Sequence, residues 1–215
     1  MDEFGKQRQR MVERFVIRKG IDDERVVQAM LQVPRHRFVQ PALIHQAYDG
    51  KALPIGYGQT ISHPTTVALM CALLAVSPGE RVLEVGTGSG YNAAVLAQMG
   101  VKVFSIERIG QLVRKARRLL AELGYHSVAV RQGDGATGWP EFAPFQGIVI
   151  TAACRSVPKA LLEQLSEEGR MILPLGTTSR QKLTLIQRTG GEFFARQMGE
   201  HRFVPLIGKQ GWPGE

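Results

Sequence analysis

Arg81-Val82-Leu83-Glu84-Val85-Gly86-Thr87-Gly88-Ser89-Gly90 is the stretch that decides the fold of this 215-residue chain. Val82, Leu83 and Val85 suit a strand covered on both faces. Gly86, Gly88 and Gly90 let the backbone turn tightly and approach a ligand closely. The residues after them predict a helix over 91–99, whose amide-rich N-terminus would point at whatever the turn holds. The stretch reads as a cradle for a nucleotide-type cofactor.

Downstream, strand and helix patterns alternate. Strands are expected over 101–106, ending on Glu107, and over 127–131, 145–151 and 170–175. Ile109, Leu112, Val113, Ala116, Leu119, Leu120 and Leu123 keep helical spacing until Gly124 stops them, and a proline opens a second helix over 158–165. Such alternation predicts a parallel sheet with helices on both faces. The pattern then changes: 182–188 and 193–203 read as strands around Thr189-Gly190-Gly191-Glu192, a hairpin signal.

Upstream, a basic amphipathic helix is expected over 6–19, stopped by Gly20, and a second from Asp22, its N-cap, closed by Pro34. The link Arg35-His36-Arg37-Phe38-Val39 is dense in charge and aromatics. Residues 40–63 read as irregular, punctuated by Pro41, Gly50, Pro54, Gly56 and Gly58. Long irregular stretches in compact domains are functional or disordered. Leu53, Ile55, Tyr57 and Ile61 give this one apolar surface to bury, which favours an ordered, functional loop. A helix over 64–76 is apolar nearly all round and should be buried.

Composition narrows the classes. Hydrophobic residues make up 44% of the chain, which argues against disorder, and no apolar run is long enough to span a bilayer. The N-terminus lacks the apolar core of a secretory signal. Cys71 and Cys154 match no zinc or redox spacing, so reduced thiols, no metal and a cytoplasmic location are expected. The net charge of +8 raises the question of nucleic acid. Much of it sits on helix faces, as in Arg114, Lys115, Arg117 and Arg118, and no aromatic platform for single strands is interleaved with it.

A dinucleotide fold wants G-x-G-x-x-G, whereas the spacing here is G-x-G-x-G. Glu84 precedes the first glycine by two residues, and Glu107 ends the next strand, where a ribose diol would lie. This pattern resembles the Rossmann-like S-adenosylmethionine-dependent methyltransferases. Acids near the loop suit a sulfonium with an amino-acid tail better than a pyrophosphate. Asp134, in Gly133-Asp134-Gly135, could accept from an adenine amino group or simply form a D-G turn.

Further motifs identify the resemblance more closely. They are Val33-Pro34-Arg35-His36-Arg37-Phe38-Val39, Ala47-Tyr48, Leu53 through Ser62, Val82 through Tyr91 and Ser105-Ile106-Glu107-Arg108-Ile109. Gly133-Asp134-Gly135, Thr151-Ala152-Ala153, Leu173-Pro174-Leu175-Gly176 and Arg202-Phe203-Val204-Pro205-Leu206 complete the set. In order and spacing they resemble the protein-L-isoaspartate O-methyltransferase family from about residue 11 to 212. The resemblance implies an α/β, doubly wound, mostly parallel sheet with a C-terminal antiparallel hairpin and an N-terminal helical and loop extension. One domain, 1–215, would divide into an N-terminal part (1–63), a cofactor-binding core (64–180) and a C-terminal part (181–215).

The implied activity is methyl transfer from S-adenosylmethionine to the free α-carboxylate of L-isoaspartyl residues in damaged proteins, initiating repair through a succinimide. Matching positions imply cofactor contacts from Gln59, Thr60, Ile61, Glu84, Gly86, Thr87, Gly88, Ser89, Gly90, Glu107, Arg108, Asp134, Gly135 and Thr151. Ser62 matches the family's active-site serine, and Ile61, Ser62, Val204, Pro205 and Leu206 would meet the peptide. Serine before His63-Pro64 also suits a helix N-cap. Implied partners are isoaspartyl proteins and peptides, with no nucleic acid, no membrane and a monomeric state. The run Ala153-Cys154-Arg155-Ser156-Val157 departs from the family's small, proline-rich loop and puts peptide preference in question. An RNA or small-molecule methyltransferase is the competing enzyme reading, although Thr151-Ala152-Ala153-Cys154 lacks an aromatic-proline tetrad. A non-catalytic binder is the third reading, opposed by the intact Ser62 and glycine loop.

Overall fold

The computed structural model describes residues 4–208 and 212. The chain opens with α1 (Gly5–Phe15) and α2 (Glu24–Gln32), passes through 3-10 turns, and forms a hairpin of β1 (Leu53–Gly56) and β2 (Gln59–Ile61). Then come α3 (Pro64–Leu74), β3 (Arg81–Val85), α4 (Tyr91–Gln98), β4 (Lys102–Glu107), α5 (Gly110–Glu122) and β5 (Val128–Gln132). The last third holds β6 (Phe145–Ile150), α6 (Lys159–Glu163), β7 (Leu165–Gly176), β8 (Gln181–Thr189) and β9 (Glu192–His201).

The main sheet has seven strands in the order β5-β4-β3-β6-β7-β8-β9. The first five run parallel, and β8 and β9 are antiparallel additions. Its two faces bury different sets, as strand alternation demands. Val82, Val103, Val149 and Ile172 face the core shared with α1–α5, while Leu83, Ile148, Met171 and Leu173 face the other way. The expectation of helices on both faces is met unevenly. The second face is covered by α6 and by 3-10 turns at Gly135–Thr137 and Pro140–Phe142, whose Phe142 stacks on Phe104 at 4.4 Å.

Several boundaries move for physical reasons. The first helix breaks at Phe15, and Ile17–Lys19 continues as a 3-10 turn ending on left-handed Gly20. Asp23, not Asp22, caps α2, because only its carboxylate reaches the Arg25 and Val26 amides, at 3.0 and 3.2 Å. Strand β7 starts at Leu165 rather than 170, its beginning hidden in the sequence by Ser166-Glu167-Glu168-Gly169. Glu168 has φ 58°, and the register with β6 shifts in this region.

The larger correction concerns 40–63. Pro41–Gln46 is a 3-10 turn, and β1 pairs with β2 through Leu53↔Ile61, Pro54↔Thr60 and Gly56↔Gln59. Tyr57 (φ 55°) and Gly58 (φ 69°) fill a two-residue turn with both residues left-handed, the geometry that matches strand twist. Proline and glycine read as breakers masked the hairpin, and tyrosine is not a usual residue for that turn.

Candidate active site

Strands β3 and β6 are neighbours, and the chain leaves β3 toward β4 but leaves β6 toward β7, so the two connections diverge to opposite sides. A crevice opens at such a switch point, beyond the C-terminal strand ends. Into it run the loop after β3, Glu107 at the end of β4 and Thr151 just past β6. The cleft has two compartments. One is walled by Gln59, Thr60, Ile61, Ser62, Gly86 through Ser89, Glu107, Thr151 and Val204. The other is walled by Gln59, Gly86, Glu107, Arg108, Gly135, Pro205 and Leu206. Gln59, Gly86, Glu107 and Ala152 belong to both.

The loop is held by hydrogen bonds that leave its cleft face open. Gly86 (φ 100°) donates its amide to Ile106 O at 2.8 Å. The Thr151 hydroxyl donates to Gly86 O at 2.7 Å. Glu107 accepts from the Gly88 amide through Oε2 and the Ile109 amide through Oε1, both at 2.9 Å. Each carboxylate oxygen keeps a further lone pair, and Glu107 stands at the junction of the compartments.

Glu84 sits behind this wall, not on it. It is fully buried on β3, accepting from Asn92 Nδ2 at 2.8 Å and Ser105 Oγ at 2.5 Å. Burial pushes its carboxyl up to about 7, against the pull of those two hydrogen bonds and with help from Glu107. Between the ordinary value of 4.5 and about 7 the folded chain keeps a proton that the unfolded chain has released. Unfolded protein then binds fewer protons, so this group's contribution to stability falls as pH rises through that window and is level above it. Relative to Glu84→Gln, ligand-free wild type should lose about 3 kcal/mol between pH 4.5 and 8. Urea unfolding of both proteins at the two pH values measures the difference; a gap independent of pH refutes the assignment.

Ser62 follows β2 and lines the first compartment, half-buried, with no hydrogen bond from its hydroxyl among the described residues. It is not the cap of α3. His63 takes that position, its Nδ1 accepting from the Thr65 amide at 3.1 Å, while Pro64 fills the first turn. Arg35 fixes the Ser62 backbone. Its guanidinium, wholly buried, donates to Ser62 O at 2.8 Å, Ala47 O at 2.9 Å and Lys51 O at 3.3 Å, and lies 4.8 Å over the Tyr91 ring. The tail closes the opposite wall. Ala153 N donates to Val204 O at 2.7 Å and Leu206 N to Ala153 O at 2.8 Å, which clips 204–206 to the loop after β6.

A family description drawn from known sequences, protein-L-isoaspartate(D-aspartate) O-methyltransferase, matches residues 6–211. This chain belongs to that family. The protein-L-isoaspartate O-methyltransferase of Alkalilimnicola ehrlichii is 53% identical over 203 residues, covering 94% of this chain and 91% of the relative. That of Syntrophus aciditrophicus is 48% identical over 217 residues, covering 100% of both. A solved protein-L-isoaspartate O-methyltransferase superposes with a TM-score of 0.86 at 29% identity, over 95% of this chain and 67% of its own. A Plasmodium falciparum structure in complex with S-adenosyl-L-homocysteine gives 0.81 at 26% identity, over 93% and 98%.

Most of the residues expected at the family's site do meet in one cleft. Three do not line it. Glu84 lies behind the wall, Gly90 (φ 88°) is the left-handed cap of α4, and Asp134 caps the next 3-10 turn by accepting from Ala136 N at 3.0 Å. Cys154 is buried, and burial pushes its thiol up to about 12, so it is an inert packing residue. Asn92, Ser105 and Arg35 support the site without belonging to any of the motifs' expected contacts. A buried amide at the start of the apolar helix Tyr91–Gln98 and a lone hydroxyl in Val103-Phe104-Ser105-Ile106 are the available signals for the first two. Nothing local marks Arg35 as buried.

Proposed function

We propose that the cleft residues divide the family's reaction as follows. The enzyme transfers a methyl group from S-adenosylmethionine to the free α-carboxylate of L-isoaspartyl residues in proteins and peptides, and this initiates repair through a succinimide. Glu107 receives the ribose diol, and the Gly86–Ser89 loop packs against the amino-acid portion. Gln59, Thr60, Ile61, Arg108, Gly135 and Thr151 enclose the cofactor, and Asp134, by capping the turn that starts at Gly135, holds Gly135 in place beside it. When bound, that cofactor supplies a methyl group already activated on a sulfonium.

The acceptor carboxylate is already a nucleophile, so no side chain has to remove a proton. The chain must hold the reacting groups in line and keep water out. The observation that carries this reading is Ser62, which lines the compartment that the glycine loop also lines and whose hydroxyl makes no hydrogen bond among the described residues. That hydroxyl donates to the incoming carboxylate and orients it. Ile61 and the clipped segment Val204–Pro205–Leu206 flank the peptide. Glu84 and Gly90 act from behind the wall, as supports of the loop.

We read the chain as one methyltransferase domain in the parts 1–63, 64–180 and 181–215, acting as a cytoplasmic monomer without nucleic acid. Supporting this are two free, buried cysteines and, among the described residues, no helix long and apolar enough to cross a membrane. The test is methylation of paired peptides that differ only in carrying isoaspartate or normal aspartate. Transfer to the first alone is expected, and equal labelling of both would sink the reading. Ser62→Ala should lower kcat about 100-fold, the scale of one lost orienting donor, with little change in S-adenosylhomocysteine affinity. Loss of cofactor affinity with kcat intact would reassign Ser62 to the cofactor pocket.

A further inference from the structure

Behind the cleft wall a chain of hydrogen bonds runs from a buried acid to Thr87, a residue that lines the cavity. Glu84 Oε2 meets Ser105 Oγ at 2.5 Å, and Ser105 Oγ meets Thr87 Oγ1 at 2.5 Å. All three residues are buried, and Thr87 lines the first compartment. The other carboxyl oxygen accepts from Asn92 Nδ2 at 2.8 Å. Asn92 cannot turn its amide without losing the Cys71 thiol, which donates to its Oδ1 at 3.5 Å. A proton on Glu84 therefore belongs on the Ser105 side.

A hydroxyl has one hydrogen, so the chain has two polarities. With Glu84 ionised, Ser105 donates to the carboxylate, Thr87 donates to Ser105, and Thr87 presents lone pairs to the cleft. With Glu84 protonated, each bond reverses, and the Thr87 hydrogen points into the cleft. We propose that Glu84 and Ser105 are positioning residues that set whether Thr87 accepts or donates toward the cleft, so that binding of the donor's α-ammonium is coupled to loss of one proton from Glu84. The coupling rests on reading the cleft as an S-adenosylmethionine site. An ammonium offers only donors and selects the accepting polarity; the proton released passes to the buffer. The titratable groups facing Glu84 are Cys71 from α3 and Glu107 from β4. Burial raises the Cys71 thiol out of the physiological range, and the Glu107 charge pushes Glu84 upward.

The experiment is calorimetry of S-adenosylhomocysteine binding at pH 6 and 8, in buffers of different ionisation enthalpy, with wild type, Glu84→Gln and Ser105→Ala. S-adenosylhomocysteine keeps the ammonium and lacks the sulfonium. Wild type should release close to one proton at pH 6 and bind about tenfold more weakly there than at pH 8, as the competent fraction falls. In Glu84→Gln the side-chain amide donates toward Ser105 and fixes the donating polarity. Affinity should then be low at both pH values beyond the ligand's own titration, with no proton released. Ser105→Ala cuts the chain and should abolish release as well. Wild type that binds without releasing a proton overturns the proposal whatever the variants do. Release retained by either variant also overturns it, as does release on binding S-adenosylmethionine but not S-adenosylhomocysteine. Absence of any binding by wild type would instead overturn the reading of the site itself.

Discussion

Arg35→Ala should destabilise the enzyme by about 3–5 kcal/mol, the range for losing charge-assisted bonds to buried groups together with packing. The guanidinium holds three carbonyls from separate parts of the chain, Ala47, Lys51 and Ser62. Removing it leaves those oxygens without their donors, opens a cavity beside the Tyr91 ring and frees the backbone that carries Ser62. For a protein of this size the loss corresponds to a fall in Tm of roughly 10 °C. Turnover of the folded fraction should fall about tenfold or more, because the Ser62 hydroxyl is no longer fixed, while S-adenosylhomocysteine affinity changes little. Arg35→Lys, whose ammonium reaches fewer of these oxygens, should lie between. Thermal unfolding with kcat measured well below the transition checks both effects. Wild-type kcat in Arg35→Ala would mean that Ser62 is held by its strand alone.

Gly86→Ala should weaken cofactor binding at least about 100-fold, since it deforms the loop proposed to pack against the cofactor. Two obstacles combine at this position. The φ of 100° is strained for any residue with a side chain, and a Cβ would stand 2.3 Å from Thr151 Oγ1. Thr151 would have to give up its bonds to Val85 O and Gly86 O, at 3.1 and 2.7 Å. The expected stability loss is about 2–4 kcal/mol, from backbone strain plus the displaced hydroxyl. Thr151→Ala removes the obstructing oxygen, so the double variant should be less destabilised than the sum of the singles. Urea unfolding of the four proteins measures that coupling. Strict additivity would show that strain at φ, not the Thr151 contact, excludes a side chain.

The parts of the site that were legible in the sequence are those whose signals are local. Val82-Leu83-Glu84-Val85 followed by Gly86, Gly88 and Gly90 carries its strand, turn and helix start within ten residues. Glu107 could be placed because a strand's end can be counted. The hairpin Leu53–Ile61 was not legible, since Pro54, Gly56 and Gly58 are breaker residues in any local reading, and pairing them is a tertiary decision. The same holds for the cap of α3, where serine has the better local propensity and His63 has the geometry.

Glu84 shows where the division lies. Local pattern is enough to place an acid two residues before a glycine turn in a parallel sheet. The sequence also determined, through motifs spread along the chain, which family and which reaction that turn serves. That the acid does not line the cleft but is buried against Ser105, 21 residues on, and Asn92 in the next helix is a matter of tertiary structure. Tertiary structure likewise decided that Arg35, 27 residues before Ser62, fixes that residue's carbonyl. The physical reason is common to both. Periodicity and turn chemistry act over a few residues and specify elements. Burial of a charge, the partners that satisfy it and the protonation state that results depend on which elements the fold brings together.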